Sequence, residues 1–181
     1  MTSQFPDIDR IAFRRDDQSD HPGGGHCSFL EGDEENGGWL GMLDQHARAL
    51  RILCTAAHTD EPLTRPIIFA AHHTCEVAIK AALVQRGVAI EGELKGHLLN
   101  DLLNELGTTG WASSAPDGHQ QWVAEFVAAM VAVTPNGFDG KYAELPNDMA
   151  SDWCCVNPIG MLATVETFIA FVIADVPLEH E

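Results

Sequence analysis

The chain has 181 residues, of which 45% are hydrophobic, and its 27 acidic and 10 basic side chains give a formal charge of −17. This length predicts one domain, and the hydrophobic fraction is sufficient for a buried core. Because Lys and Arg supply most of the affinity of proteins for nucleic-acid phosphates, the acidic balance argues against direct nucleic-acid binding. It also predicts that a protein partner would have a basic surface.

The sequence shows no segment that we expect to direct export or cross a membrane. The N-terminus lacks the apolar core of a signal peptide. The most apolar run, residues 159–174, contains Glu166 and is shorter than the roughly 20 residues that a spanning helix needs. The five cysteines form an odd set without a CxxC pair, which argues against a disulfide framework. We therefore expect a cytoplasmic protein.

The first 38 residues differ in composition from the rest. The stretch from His21 to Gly38 is rich in glycine and acidic residues and has no hydrophobic periodicity. We predict that residues 1–38 form an acidic, Gly-rich N-terminal arm that is a loop or partly disordered. Residues 39–176 are predicted to form the helical domain, and residues 177–181 a C-terminal tail.

From Trp39 onward, hydrophobic residues recur every three or four positions, which predicts helices. The first helix is predicted over residues 39–59. The second is predicted to begin with Pro66 at the first helical position and to end before Gly87, which supplies a left-handed cap.

Three further helices are predicted after a loop at residues 88–96. Leu98 is placed on the apolar face of the third helix, Gly107 closes that helix, and Asn157 caps the fifth. The predicted bounds are 96–106, 117–133 and 158–175. No segment alternates with a period of two, so we predict an all-α fold, a four- to five-helix up-and-down bundle.

The second helix carries one polar stripe on an otherwise apolar surface: His72, His73, Glu76 and Lys80, with His97 following in the next predicted helix. Glu76 precedes Lys80 by four residues, the favourable order on one helix face. Polar residues on a central helix must pair or line a cleft. They either line a pocket for a small anionic or nucleotide-like ligand, or form a buried network in which Glu76 pairs with Lys80 and His97 tethers the short helix.

A metal site is a third interpretation of the stripe. His72 and His73 precede Glu76 by four and three residues, a spacing with which helical bundles bind metals. His46 or His58 of the first helix would add a ligand. The chain has no Glu-x-x-His pair of the kind that dinuclear iron bundles use. We expect no resident cofactor and retain a mononuclear zinc or nickel site at His72, His73 and Glu76 as an alternative.

Two segments, FAAHHTCEVAIKAALVQRG at Phe69–Gly87 and KGHLLNDLLNEL at Lys95–Leu106, resemble the HEPN superfamily of small prokaryotic helical-bundle proteins. A third stretch, FDGKYAELP at 138–146, is similar to the Arg-Tyr-Pro stretch before the last helix of that family. Lys141 and Tyr142 stand at the Arg-Tyr positions and join the candidate ligand-binding residues. The resemblance covers the whole predicted bundle and implies that it dimerises.

The resemblance implies two roles. Some HEPN proteins are metal-independent ribonucleases, often toxins paired with a nucleotidyltransferase-like antitoxin, whose site is an Arg, four to six residues and a His near the last helix. Others lack this motif and act as binding modules. Here residues 141–166 contain no Arg and no His. Arg51 with His58 and Arg65 with His72 have the spacing, but they belong to the first two helices, and Arg65 is expected to precede its helix.

The sequence therefore predicts a non-catalytic, HEPN-like, dimeric module that binds a protein or a ligand, in the toxin–antitoxin or defence context that the resemblance suggests. A homodimer is also expected because the fourth and fifth helices offer few polar side chains, and a five-helix bundle does not bury every face of both. The alternatives are a HEPN-type ribonuclease with a divergent site and a metal-binding helical bundle.

Overall fold

The computed structural model describes residues 38–59, 63–111, 118–134 and 156–173. In these ranges the chain forms five α-helices and no β-strand, which confirms the all-α prediction. The helices are α1 (Gly38–Thr59), α2 (Thr64–Gln85), α3 (Leu99–Thr108), α4 (His119–Val133) and α5 (Pro158–Ile173), with a short 3₁₀ helix at Gly92–Lys95. The predicted arm before residue 38, the tail at 177–181, and both Lys141 and Tyr142 lie outside the described residues.

The central helix of the bundle is α2. It packs against α1, α3 and α5, while α4 packs against α3 and α5. Of the 22 residues of α2, 14 are buried. Several of these are alanines, whose small side chains let neighbouring helices approach closely. Burying each large apolar side chain contributes roughly 1.5–3 kcal/mol, so α2 organises much of the core.

The central position of α2 also accounts for its strongly apolar sequence. By length and composition it is long and apolar enough to cross a membrane, although we expected no such segment. However, 78% of the residues in its most apolar window are buried inside the bundle, as in the core helix of a soluble protein. The segment contains only three charged residues, Arg65, Glu76 and Lys80, so its composition resembles that of a spanning helix.

Two helix ends agree with the capping predictions. At the end of α2, Gly87 has a φ of 79°, and the N–H of Val88 donates to the carbonyl oxygen of Leu83 at 3.0 Å. This is the 6→1 hydrogen bond of a Schellman motif. At the start of α5, the side-chain oxygen of Asn157 accepts a hydrogen bond from the N–H of Gly160 at 3.0 Å, as an N-cap residue does.

Other boundaries differ from the predictions. Helix α2 begins at Thr64, so Arg65 lies inside its first turn and Pro66 is its third residue. Proline is still tolerated there because the first four N–H groups of a helix have no partner within it. Part of the predicted loop at 88–96 is the 3₁₀ helix.

The start and the end of the third helix also differ from the prediction. It begins at Leu99, and Leu98 has an extended backbone and an exposed side chain, so it is not on the apolar face. Gly107 lies inside α3, and the glycine with a left-handed backbone is Gly110, with a φ of 80°. The contacts of His97 described below hold the chain out of a helix just before α3.

Candidate functional site

Glu76 is the centre of a polar cluster on α2. Its side chain is only 4% exposed, and its Oε1 accepts a hydrogen bond from Nζ of Lys80 at 2.7 Å. Its Oε2 lies 3.1 Å from Nδ1 of His73 and 2.9 Å from Nδ1 of His97. The helical repeat places His73, Glu76 and Lys80 on one face of α2, and the segment before α3 supplies His97. We call these four residues the Glu76 cluster.

The ammonium group of Lys80 is as buried as the carboxylate that it binds. Its Nζ also lies 3.5 Å from the carbonyl oxygen of Lys95 and 5.9 Å from the ring centroid of Trp39, near the start of α1. The aromatic face of Trp39 adds a weak attraction for this cation. Two opposite charges are thus removed from water together, and each depends on the other for compensation.

The two imidazoles of the Glu76 cluster lie at its solvent side. The side chain of His73 is 30% exposed and that of His97 is 39% exposed. His46 of α1 packs edge-on against His73, with 4.5 Å between the ring centroids. Burial, together with the neighbouring His73, lowers the pKa of His46. The cluster is therefore a buried carboxylate with two partly exposed histidines hydrogen-bonded to it.

His72 makes a different set of contacts from its neighbour His73. It is almost fully buried, with Nδ1 2.6 Å from the hydroxyl oxygen of Thr134 and Nε2 3.1 Å from the carbonyl oxygen of His97. Burial lowers the pKa of His72, which favours the neutral ring. Both ring nitrogens are occupied by these contacts, so the structure does not bring His72 into a ligand set with His73 and Glu76.

In the two Arg and His pairs that have the spacing of the ribonuclease motif, Arg51 and His72 bind other residues. The guanidinium of Arg51 binds the carboxylate of Glu166 on α5, with 2.6 Å between Nη2 and Oε1. His58 is exposed in the last turn of α1. Arg65 is exposed in the first turn of α2, whereas His72, seven residues later, is buried and hydrogen-bonded to Thr134 and His97.

The ionisation of Glu76 is strongly favoured in the fold. Burial by itself raises the pKa of Glu76, but the hydrogen bonds with His73, Lys80 and His97, and the charge of Lys80, lower it to about 2. The ordinary value is 4.5. A carboxylate with several hydrogen bonds and a neighbouring cation behaves in this way.

This shift predicts a pH dependence of stability. Because the pKa of Glu76 is lower in the fold than in the unfolded chain, the stabilisation is complete above about pH 4.5 and is lost as the pH falls towards about pH 2. We expect the difference in unfolding free energy between the wild type and Glu76→Gln to shrink by roughly 2 kcal/mol from pH 7 to pH 3. Urea unfolding in the presence of a chelator measures it. An equal difference at both pH values would contradict the depressed pKa.

The same cluster contains a set of possible metal ligands. The ligand atoms of His73, Glu76 and His97 all lie within 4.8 Å of one another. Among the described residues, this is the one group of at least three His, Cys, Asp or Glu side chains whose ligand atoms lie close enough together to hold a metal ion. It shares His73 and Glu76 with the set considered from the sequence and has His97 in place of His72.

Two residues that contact the polar side chains of α2 were not identified from the sequence. Thr134, which binds His72, and Trp39, which lies over Lys80, follow from the packing of helices distant in sequence. No local motif marks either residue. Cys54 and Cys75 are buried free thiols, and burial raises the pKa of both, so neither is a reactive group.

Comparison of the chain with protein-family models, with curated proteins and with solved structures finds no match in any of the three. The HEPN resemblance therefore stays a prediction from the sequence.

Proposed function

We propose that this protein is a non-catalytic, HEPN-like binding module that acts as a homodimer, in a toxin–antitoxin or defence context. The observation that supports the dimer is the composition of the exposed surface of α4. In the first two turns this surface carries Gln120, Gln121 and Glu125. Its other exposed residues are all alanines: Ala124, Ala128, Ala129 and Ala132.

Exposed alanines at four-residue intervals form a smooth apolar stripe along α4. Ala124, Ala128 and Ala132 lie on one face, where small side chains let a second helix approach closely. The neighbouring helix α5 is similar. It has only three buried residues among 16, and Glu166 is its one charged residue. Water contact over such a surface is unfavourable, so a covering partner stabilises it.

The outer face of α1 has a different character. It carries Asp44 and Arg48, which form an ion pair with 2.9 Å between Oδ2 and Nη2, and Arg51, which binds Glu166. Ile52 on the same helix is 70% exposed, so this face mixes charged and apolar side chains, whereas the α4 stripe carries no charge. In a two-fold dimer the same patch of each copy meets its equivalent, so contact between the two α4 faces removes the apolar surface of both copies from water. A further protein partner would bind the acidic surface through basic side chains, given the charge of −17.

A charge at the centre of the α4 stripe tests the dimer. We expect the wild-type chain to have the mass of a dimer in solution and Ala128→Glu to have that of a monomer. Glutamate is a good helix former at an exposed position, so the fold should persist while two buried like charges oppose association. Light scattering coupled to size-exclusion chromatography measures the mass, and circular dichroism checks the helix content.

The matched control is Ala49→Glu, the same change at an exposed alanine on α1. It should leave the dimer intact. A monomeric wild type would contradict the homodimer itself. A dimer that survives Ala128→Glu, or that is lost equally in both variants, would contradict the assignment of the interface to α4.

A further inference from the structure

We propose that His73, Glu76 and His97 form a binding site for one zinc ion or a similar borderline divalent metal. This site is independent of the α4 dimer interface, and it departs from the expectation, drawn from the sequence, of no resident cofactor. It would use Nδ1 of each imidazole and Oε2 of Glu76, the three atoms that already face one another.

The distances within the cluster are close to those of a metal site, and the ligand atoms of the three side chains all lie within 4.8 Å of one another. Zinc lies about 2.0–2.2 Å from nitrogen and oxygen ligands, so two ligand atoms on one tetrahedral ion are about 3.3–3.6 Å apart. Here Oε2 of Glu76 is 3.1 Å from Nδ1 of His73 and 2.9 Å from Nδ1 of His97. A neutral imidazole coordinates through Nδ1 by carrying its hydrogen on Nε2, so binding requires a change of tautomer and a movement of the rings that brings all three ligand atoms onto one ion.

The donor set also selects the class of ion. Two imidazoles and one carboxylate suit zinc or nickel, whereas magnesium and calcium prefer sites built from oxygen alone. Lys80 binds Oε1 of Glu76 at 2.7 Å, which orients the carboxylate and directs Oε2 towards the two rings. Hydrogen bonds of this kind to a ligand carboxylate are a usual part of metal sites.

Two of the three ligand side chains are accessible to solvent. The side chains of His73 and His97 are both partly exposed, whereas that of Glu76 is buried, so an ion would approach from the side of the two histidines. Three protein ligands leave a fourth position for water, as in zinc sites with an open position. His46, whose ring packs against His73 at 4.5 Å between centroids, is close enough to support that ring or to join the ion after a rotation.

Isothermal titration calorimetry, in which zinc is added to the chelator-treated full-length chain, tests the site. We expect the wild type to bind one equivalent tightly and His73→Ala and His97→Ala each to weaken binding at least tenfold. His58→Ala, which changes an exposed histidine elsewhere on α1, is the matched control and should bind as the wild type does. Both cluster variants alter partly exposed residues, and circular dichroism confirms that they fold.

Cobalt substitution provides a readout that a purely structural role would not change. The visible absorption of bound Co²⁺ should show nitrogen and oxygen ligation and should disappear in His73→Ala and His97→Ala. Failure of the wild type to bind zinc would overturn the proposal. Binding that is unchanged in both cluster variants, or cobalt absorption typical of thiolate ligands, would equally overturn it, because the ion would then be bound elsewhere.

Discussion

Replacing Glu76 with alanine is expected to lower the free energy of unfolding by about 3–5 kcal/mol, because it leaves the buried ammonium of Lys80 without its counter-charge. Both side chains are nearly inaccessible to solvent, and 2.7 Å separate Nζ from Oε1. The substitution also removes the acceptor for Nδ1 of His73 and of His97. Urea unfolding at pH 7 of wild type and variant measures the loss.

Two comparisons separate the pair from general effects of the substitution. Glu125→Ala removes an exposed carboxylate that accepts a hydrogen bond from Gln121, and it should change stability by less than about 0.5 kcal/mol. The double variant Glu76→Leu with Lys80→Met removes both charges and should be more stable than Glu76→Ala alone. If the double variant is no more stable than the single one, an unpaired charge is not the cause of the loss.

Phe168→Ala is expected to cost about 3–5 kcal/mol, through lost burial and the cavity that remains. Phe168 is fully buried on α5, a helix that packs against α2 and α4. Its ring centroid is 5.1 Å from that of Phe126 on α4, so the substitution also removes an aromatic contact between two helices. Thermal unfolding of the variant and the wild type, at one protein concentration, measures the change.

Ile52→Ala is the control for the loss of a large apolar side chain. Ile52 on α1 is 70% exposed, so its truncation removes little buried area and should leave the unfolding free energy nearly unchanged. A loss in Phe168→Ala no larger than that in Ile52→Ala would contradict the placement of Phe168 in the core. Both variants should keep the helical circular dichroism of the wild type at low temperature.

The helices were predictable where local chemistry determines them. The Asn157-Pro158 pair gives the start of α5, and the Arg86-Gly87 pair gives the end of α2, because caps depend on a few neighbouring residues. The start of α3 was not predictable in this way. The carbonyl and side chain of His97 bind residues of α2, and these contacts outweigh a sequence pattern that would extend α3 towards Gly96.

The site was predictable to a similar degree. Spacing on one helix brings Glu76 and Lys80 together, and the structure places them at 2.7 Å. Spacing also suggests that His72 and His73 share a role, yet neighbouring residues of a helix point in directions about 100° apart. His73 turns to the carboxylate and His72 to Thr134, at the end of α4, a choice that only the packing of the whole bundle decides.

The buried imidazole of His72 fixes how three separate parts of the chain are aligned. It joins α2 to the carbonyl of residue 97 and to Thr134, partners 25 and 62 positions further along the sequence. Apolar packing tolerates a small slip or rotation of one helix along another, whereas a hydrogen bond loses strength when its angle changes. A movement of α2 relative to the end of α4 would weaken the bond to Thr134, and a movement relative to the segment before α3 would weaken the bond to residue 97, so one side chain aligns the central helix with both neighbours.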